Sequence, residues 1–414
     1  MLSKAFHASR RNLYHDILKP GQMGILFSGE EKQKAGDENY PFSVYRNFYY
    51  ITGFERPGTI YIAYRVENEV REILFIERPE PIRERFEGKM PRPEEVIEEF
   101  GIMTVRYVDE LEKSISSIMN WNDIDTVWID QENKDFNDCV DCYQLLINKL
   151  CRCYPWLKVK NSYVAFSKMR RIKEREEIEK HKKACRVTSE GVRFMMKHIK
   201  PGVSEGQLEA YFDFVLKSKG CDHAFETIAA SGKNACVLHY SANNAITKDG
   251  DLILFDLGAS SGYYCADVSR TYPVNGKFTD RQRQLYEIVL KGLDAALALA
   301  KPGQNKDELQ KVSRDVMAKE LIRIGMIEKP EEISKYYLHG SGHFIGLYTH
   351  DVGEDSQNCL VENMMFTLEP GLYFPEENIG IRIEDTLLVT KDGCEVLTAD
   401  IPKTIEEIEA FMEA

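Results

Sequence analysis

No stretch of the 414-residue chain approaches the roughly 18 apolar residues that a membrane-spanning helix requires. The opening segment, MLSKAFHASRRNLYHDILKPG, also lacks the uninterrupted apolar core of a secretory signal. Positive charge is in deficit. The 54 Lys and Arg residues stand against 67 Asp and Glu, a net charge of −13 that argues against a nucleic-acid-binding face. There is no HExxH helix to hold a metal, and no Ser/His/Asp arrangement that would supply a nucleophile. Ten cysteines form no disulfide-like framework, and a chain of this length needs no covalent staple. These absences lead us to expect a soluble globular protein of the reducing cytoplasm, with neither nucleic acid nor membrane as partner.

One cysteine cluster does stand out. Cys139, Cys142, Cys151 and Cys153 lie in FNDCVDCYQLLINKLCRCYPW, a C-x2-C followed by C-x-C. A zinc knot is one reading of this pattern. However, Cys139, Cys142, Leu146 and Leu150 recur at helical spacing without glycine-bearing knuckles. Small hydrophobes on one helix face account for them better.

The first half alternates short apolar runs (GILFSG, TIYIAYRV, EILFIER, DTVWID) with helical patterns such as RPEEVIEEFG, the signature of an α/β domain. From SKMRRIKEREEIEKHKKACRVTSEGVRFMMKHIKPG onward the pattern changes to a long amphipathic helix expected to stop at Pro201 and Gly202. The domain boundary is therefore placed near 165, giving domains 1–165 and 166–414. Within the second domain, KPGVSEGQL (200–208) and KPGQNKDEL (301–309) share K-P-G-x5-L at an offset of 101. Ser204 with Gln207, and Asn305 with Glu308, have the spacing of helix N-caps with back-bonding partners. Such a repeat suggests a duplicated unit whose halves face each other across a cleft.

Chemistry-bearing residues concentrate in that second domain. HGSGHFIGLYTHD, His339 to Asp351, packs three of the nine histidines into twelve residues, but its glycines disfavour a helix. Any metal held here needs ligands from elsewhere. Acids interrupt two apolar strand patterns, DLILFDLGASSGYYCADVSRTYPV and MMFTLEPGLYFPEENIGIRIEDTLLVT. If Ser261–Gly262 is the turn of a hairpin, Asp256 and Asp267 lie directly opposite on one face. Glu369 ends a strand, and Glu384 shares a strand face with Arg382. Carboxylates abutting in a half-buried sheet repel unless a cation lies between them. The competing reading is a buried salt bridge to Arg382 or Arg270. With His343, the four acids form a set that two divalent cations would neutralise. Its oxygen-rich donors favour manganese, with zinc, cobalt or iron(II) also compatible. Spacing alone does not assemble these five.

The ordered signatures SGKNACVLHYSANN, LFDLGASSGYYCADVSRTYPV, HGSGHFIGLYTHDVG, TLEPGLYF and IRIEDTLLVT, with the closing IPKTIEEIE, resemble the pita-bread metallopeptidases. The likeness is to the branch of Xaa-Pro aminopeptidase and prolidase, and YPFSVYRNFYYITGFERPG resembles that branch's N-terminal domain. The resemblance implies a fold with an aminopeptidase P-like α/β domain and a pita-bread catalytic domain of pseudo-two-fold symmetry. Carried over residue by residue, it makes Asp256 a terminal ligand of one metal, Asp267 and Glu384 bridging carboxylates, and His343 and Glu369 ligands of the other. It makes His239 and His350 histidines facing the substrate, and His339, Tyr373 and Arg382 the wall of a proline pocket. The other five histidines, His7, His15, His181, His198 and His223, are read as ordinary surface or core residues.

The implied chemistry is amide hydrolysis by water activated between two cations. Glu369 would take the water's proton and pass it to the leaving nitrogen, while His239 and His350 stabilise the tetrahedral intermediate. The substrates would be peptides with proline in second position, and the family precedent is a homodimer. Prolidases carry an arginine for the substrate carboxylate between the HDVG and EPG signatures. Here that interval, EDSQNCLVENMMFTL, has neither Arg nor Lys. This favours the aminopeptidase over the dipeptidase. A non-catalytic binding protein of the same fold is a third reading, against which stand all five ligands with His239 and His350. The N-terminal domain departs from the family at Ser43, Val44 and Asn47, and has its arginine at Arg46. No substrate-gripping role is assigned to it, and Tyr45, Phe48, Tyr49 and Tyr50 are read as core.

Overall fold

The computed structural model describes residues 2–131, 141–353 and 358–413. It divides into two compact units, Met1–Met169 and Arg170–Ala414.

In the first unit the apolar runs form one six-stranded sheet. Its strands are β1 (Gln22–Phe27), β2 (Ile60–Val66), β3 (Glu69–Ile76), β4 (Val105–Tyr107), β5 (Thr126–Ile129) and β6 (Lys158–Asn161), in the order β4-β3-β2-β1-β5-β6. Strand β1 runs antiparallel to β2 and parallel to β5. Its first five residues are buried, as expected of a strand covered on both faces. On one face, Tyr14 of α1 (Lys4–Ile17) fills the space over Gly24, where a Cβ would come within 2.0 Å of the phenol oxygen. Met23 and Ile25 point the other way. They join a core with Ile115 and Ile118 of α2 (Leu111–Trp121) and Tyr143 and Leu150 of α3 (Cys142–Cys153). Cys142 and Leu146 pack against this core, so the helix-face reading holds for them; Cys139 lies outside the described residues. Phe48, Tyr49 and Tyr50 are buried, whereas Tyr45 is exposed. Asn47 is buried too, its amide donating to both Asp130 oxygens at 3.0 and 2.9 Å. The family departure at Asn47 is thus a satisfied core contact.

The second unit repeats a pattern of two helices followed by strands. Helix α4 (Arg175–Met196) ends a turn before Pro201 and leads to α5 (Glu205–Ser218). Strands β7 (Ile228–Ser231), β8 (Leu252–Leu257) and β9 (Val268–Pro273) follow as one antiparallel sheet. Then come α6 (Asp280–Leu299), α7 (Lys306–Arg323) and β10 (Met365–Leu368). The hairpin of β11 (Gly371–Phe374) with β12 (Ile379–Arg382) precedes β13 (Asp385–Val389) and β14 (Cys394–Val396), and β13 pairs with both β10 and β14. Apolar faces of the four helices and the strands share one core that includes Met195, Phe212, Phe255, Leu285, Leu309 and Phe366.

The two K-P-G segments occupy matching environments. The Gly202 amide donates to Thr247 O and the Gly303 amide to Leu360 O. Glu205 N–H donates to Ala245 O, and Lys306 N–H to Asn358 O. Thr247 returns a bond to Val203, as Leu360 does to Gln304. The caps differ in detail. Ser204 and Gln207 exchange the reciprocal bonds of a capping box (3.1 and 3.0 Å), whereas the Asn305 side chain accepts from Asp307 N–H at 2.7 Å.

One local expectation is corrected. The turn residues of the hairpin are Gly262 and Tyr263, with φ of +58° and +70°, not Ser261 and Gly262. Ser261 therefore pairs with Tyr264, and Asp256 stands opposite Ser269 rather than Asp267. The two-residue loop takes positive φ at both positions, with glycine in the first. Gly258 lets the strands close further along; a Cβ there would lie 1.9 Å from Ala266 O. Asp267 is two residues from Ser269 and so still shares the face of Asp256.

Candidate metal centre

Each acid sits at a strand end, where the backbone is held by a ladder but the side chain clears it. Asp256 is near the end of β8, Asp267 immediately precedes β9, Glu369 follows β10, and Glu384 lies between β12 and β13. Main-chain bonds lock them together: Glu384 N–H donates to Ser269 O at 2.9 Å, and Asp267 N–H to Thr386 Oγ1 at 3.1 Å. His343 lies on an extended segment whose next residue, Phe344, bridges Phe366 of β10. Gly342 makes that approach possible. Its φ is +150°, and a Cβ would come within 2.0 Å of Thr367 O.

These elements bring the five residues to one place. His343 Nε2 is 3.3 Å from Asp267 Oδ2, 3.8 Å from Glu369 Oε1 and 3.9 Å from Glu384 Oε1. Its Nδ1 lies 3.2 Å from Phe344 O. That carbonyl can only accept, so the proton belongs on Nδ1, and Nε2 turns its lone pair toward the carboxylates. Asp256 faces the same cavity of about 290 Å³, lined also by His239, His339, His350 and Arg382. A second cavity of about 480 Å³ shares His239, Asp256, Asp267 and His350 with it and continues to Phe225, Ser241 and Thr349.

The charge balance of this cavity is unfavourable as it stands. Burial, then Asp256 and Glu369, push the Asp267 carboxyl well above the ordinary range. Burial, then Asp267 and Glu369, do the same to Glu384. Burial lifts Glu369 to about 6. Asp256 Oδ1, Asp267 Oδ1 and Glu384 Oε1 are shielded from solvent yet have no hydrogen-bond partner. Three orphaned carboxylate oxygens on acids that share a cavity with one imidazole lone pair fit a divalent cation site, since oxygen-rich ligation with one nitrogen suits such ions. Asp267, His343 and Glu384 are moreover the one group among the described residues whose donor atoms converge closely enough to share a metal.

The salt-bridge reading is also realised, beside the cage. Arg382 donates from Nη2 to Asp256 Oδ2 (2.7 Å), from Nε to Ser269 Oγ (2.8 Å) and from Nη1 to the Tyr373 hydroxyl (2.7 Å). Tyr373 lies 2.7 Å from His339 Nε2, and His339 Nδ1 lies 2.7 Å from Gly340 O. Arginine can only donate, so the chain has one direction: Tyr373 passes its hydrogen to Nε2, and the Nδ1–H goes to Gly340. Burial, with Arg382 nearby, lowers His339 to about 4, consistent with this neutral ring. Arg270 pairs instead with Asp385 at 2.7 Å. His239 and His350 line the cleft and are exposed, and the His350 ring is 4.2 Å from that of His343. Burial, then His343, lowers the pKa of His350.

Sequence reading passed over Asp351, which closes the loop between the two histidines. It is buried against Arg170, accepts from Leu347 N–H at 3.2 Å, and donates its own N–H to Phe344 O at 2.9 Å. Gly346 leaves room for it; a Cβ there would touch Asp351 Oδ2 at 1.8 Å. An acid directly after His350 was the available signal.

The orphaned oxygens and the converging Asp267, His343 and Glu384 make this cavity a metal site, and the comparisons with known proteins make it that of a metal-dependent hydrolase. A model of metallopeptidase family M24 matches residues 179–391, and one of the aminopeptidase P N-terminal domain matches residues 7–128. The chain belongs to metallopeptidase family M24. It is 30% identical to the Xaa-Pro aminopeptidase of Haemophilus influenzae, over 99% of this chain and 98% of that protein. It matches a solved chain from Bacillus anthracis with a TM-score of 0.97 at 42% identity, covering 100% of this chain and 99% of that one. Zinc-substituted Escherichia coli aminopeptidase P in complex with product matches with a TM-score of 0.92 at 28% identity, covering 100% and 98%. The expected architecture, an aminopeptidase P-like domain followed by a pita-bread catalytic domain, is borne out.

Proposed function

We propose that the protein removes the first residue from peptides with proline in second position, using two divalent cations held by Asp256, Asp267, His343, Glu369 and Glu384. The observation that carries this reading is the trio of buried, unpartnered carboxylate oxygens on acids that share one cavity with His343. Manganese is the first choice, and zinc, cobalt and iron(II) also suit the donor set. When bound, such cations supply a water of lowered pKa and polarise the scissile carbonyl.

The chain's own groups do the rest. Glu369, which lines the cavity beside His343, can accept a proton from the attacking water and return it to the leaving nitrogen. His239 and His350, both facing the cleft, donate to the oxygen on which charge develops. The ordered Arg382–Tyr373–His339 chain presents a neutral, fixed ring as the wall of the proline pocket. An X-Pro bond has no N–H to offer, so a site that positions the ring by shape loses no contact.

The continuous cleft favours the aminopeptidase over the dipeptidase. A peptide longer than two residues has room to run from the 290 Å³ cavity into the 480 Å³ one. The same reading divides the chain near residue 165, supported by the split between Met169 and Arg170. It places a homodimer in the cytoplasm, and the free state of the nine described cysteines suits a reducing compartment.

Purified protein supplied with manganese should release the first residue from an X-Pro-X tripeptide and carry two metal equivalents per chain. Activity confined to X-Pro dipeptides would make it a prolidase. His343→Ala should lose metal, whereas His350→Ala should keep it and lose turnover; equal metal loss in both refutes the histidine roles.

A further inference from the structure

The fold holds His239 in an unusual way. Among the described residues its ring makes no hydrogen bond, and it stands exposed in the cleft. Its position therefore depends on the loop that carries it, residues 232–245. That loop converges on one side chain. Glu205, the first residue of α5, is fully buried. Its Oε1 accepts from Ser231 N–H (2.7 Å), Ser231 Oγ–H (2.7 Å) and Asn234 Nδ2–H (3.1 Å). Its Oε2 accepts from the Tyr240 hydroxyl (2.8 Å) and from Ala245 N–H (2.9 Å). Glu205 N–H in turn donates to Ala245 O at 3.0 Å. The start, the end and the neighbour of His239 are thus tied to a single carboxylate.

We propose that Glu205 is a positioning residue for the reaction: it fixes the loop that aims His239 into the cleft. The assignment of a substrate-facing role to His239 rests on the function proposed above. Three physical features suit Glu205 to this task. Five donors to one ionised group make charge-assisted bonds, stronger than neutral ones. The position at a helix N-terminus stabilises the negative charge. Those bonds also hold the carboxyl below its ordinary pKa against the cost of burial, so it is ionised at neutral pH. The second half of the domain supports the idea by symmetry. Lys306, the first residue of α7 and the counterpart of Glu205 in the repeat, is also buried and donates from Nζ to Gly342 O at 3.1 Å. Each half thus uses its first helical residue to hold a loop bearing a cleft histidine, with opposite charge.

Glu205→Gln keeps the shape but, in either amide orientation, points an N–H donor at donors that the carboxylate had satisfied. It should lower kcat about tenfold, with metal content unchanged and KM little affected. In a His239→Ala background the same substitution should change kcat by less than about twofold, because its route to the reaction is gone. Hydrogen–deuterium exchange should rise in 232–245 and stay level in 339–351. An equal loss of kcat in both backgrounds, or unchanged exchange in 232–245, overturns the proposal. Tyr240→Phe removes one of the five bonds and gives the same readouts in milder form, should Glu205→Gln not fold. Full turnover in His239→Ala alongside a loosened loop in Glu205→Gln would sink the role of His239 while leaving the clamp in place.

Discussion

Glu384 and Asp385 are neighbours in sequence, both buried, and opposite in fate. Asp385 accepts from Arg270 (2.7 Å), Lys403 (2.6 Å) and Thr398 (2.8 Å), so both its oxygens are matched. Burial would raise its pKa, but Arg270 and Lys403 hold it below the ordinary value. The Glu384 carboxylate accepts from Ser269 Oγ at 3.0 Å and leaves Oε1 bare among other acids. Successive residues point to opposite sides, so one acid is given to the scaffold and the next to the cage. A fully partnered buried acid marks structure, whereas one left short of partners marks a place kept for a ligand.

The sharpest test of this contrast is to remove each acid in turn. Glu384→Ala should abolish metal retention and lower kcat/KM by about 10³-fold or more, with the fold intact by circular dichroism. Asp385→Asn should do the reverse. It leaves Arg270 and Lys403 without their anion and should cost about 3–5 kcal/mol in urea denaturation. Should Asp385→Asn strip the metal without loss of stability, the division of labour fails.

A gentler probe is pH. In the metal-free protein the raised acids Asp267, Glu369 and Glu384 bind more protons folded than unfolded. Their contribution to stability therefore declines as pH rises above the unfolded carboxyl range. Asp385 has a depressed pKa, so its contribution is present above that range and is lost as pH falls through the folded value. Manganese binding at neutral pH should accordingly release protons, seen as a dependence of calorimetric heat on buffer ionisation enthalpy. Uptake of protons, or none exchanged, would show that the cage acids are already ionised without a cation.

The single acids of the cage could be picked out because acids inside apolar strand patterns are conspicuous, but their grouping with His343 came from the family resemblance. Period-2 alternation placed Asp256 and Asp267 on one face even with the turn set one residue too early. What local pattern could not supply was the pairing partner, which depends on how closely the backbones approach at Gly258 and on the shape of the Gly262–Tyr263 loop. Asp351 and Glu205 escaped notice for another reason. Their charged or clustered partners lie far along the chain, at Arg170 for one and between Ser231 and Ala245 for the other, and only the Asp351 bonds to Phe344 and Leu347 fall within a short window. The cap of Asn305 shows the limit at its smallest: the spacing to Glu308 was suggestive, but the side chain took the nearer amide of Asp307.

The bonds from Gly202 to Thr247 and from Gly303 to Leu360 join amide to carbonyl in both halves, and only the first joint adds a side chain, the Thr247 hydroxyl donating to Lys200 O and Val203 O. At the carbonyl side every residue type except proline can supply both groups, whereas Gly202 and Gly303, at φ of +90° and +82°, hold a conformation that favours glycine, so mutation can rewrite the other letters around these joints without undoing them. That is how two halves can keep the same hinge pins while their spelling has drifted until little more than Lys-Pro-Gly and a leucine remains in common.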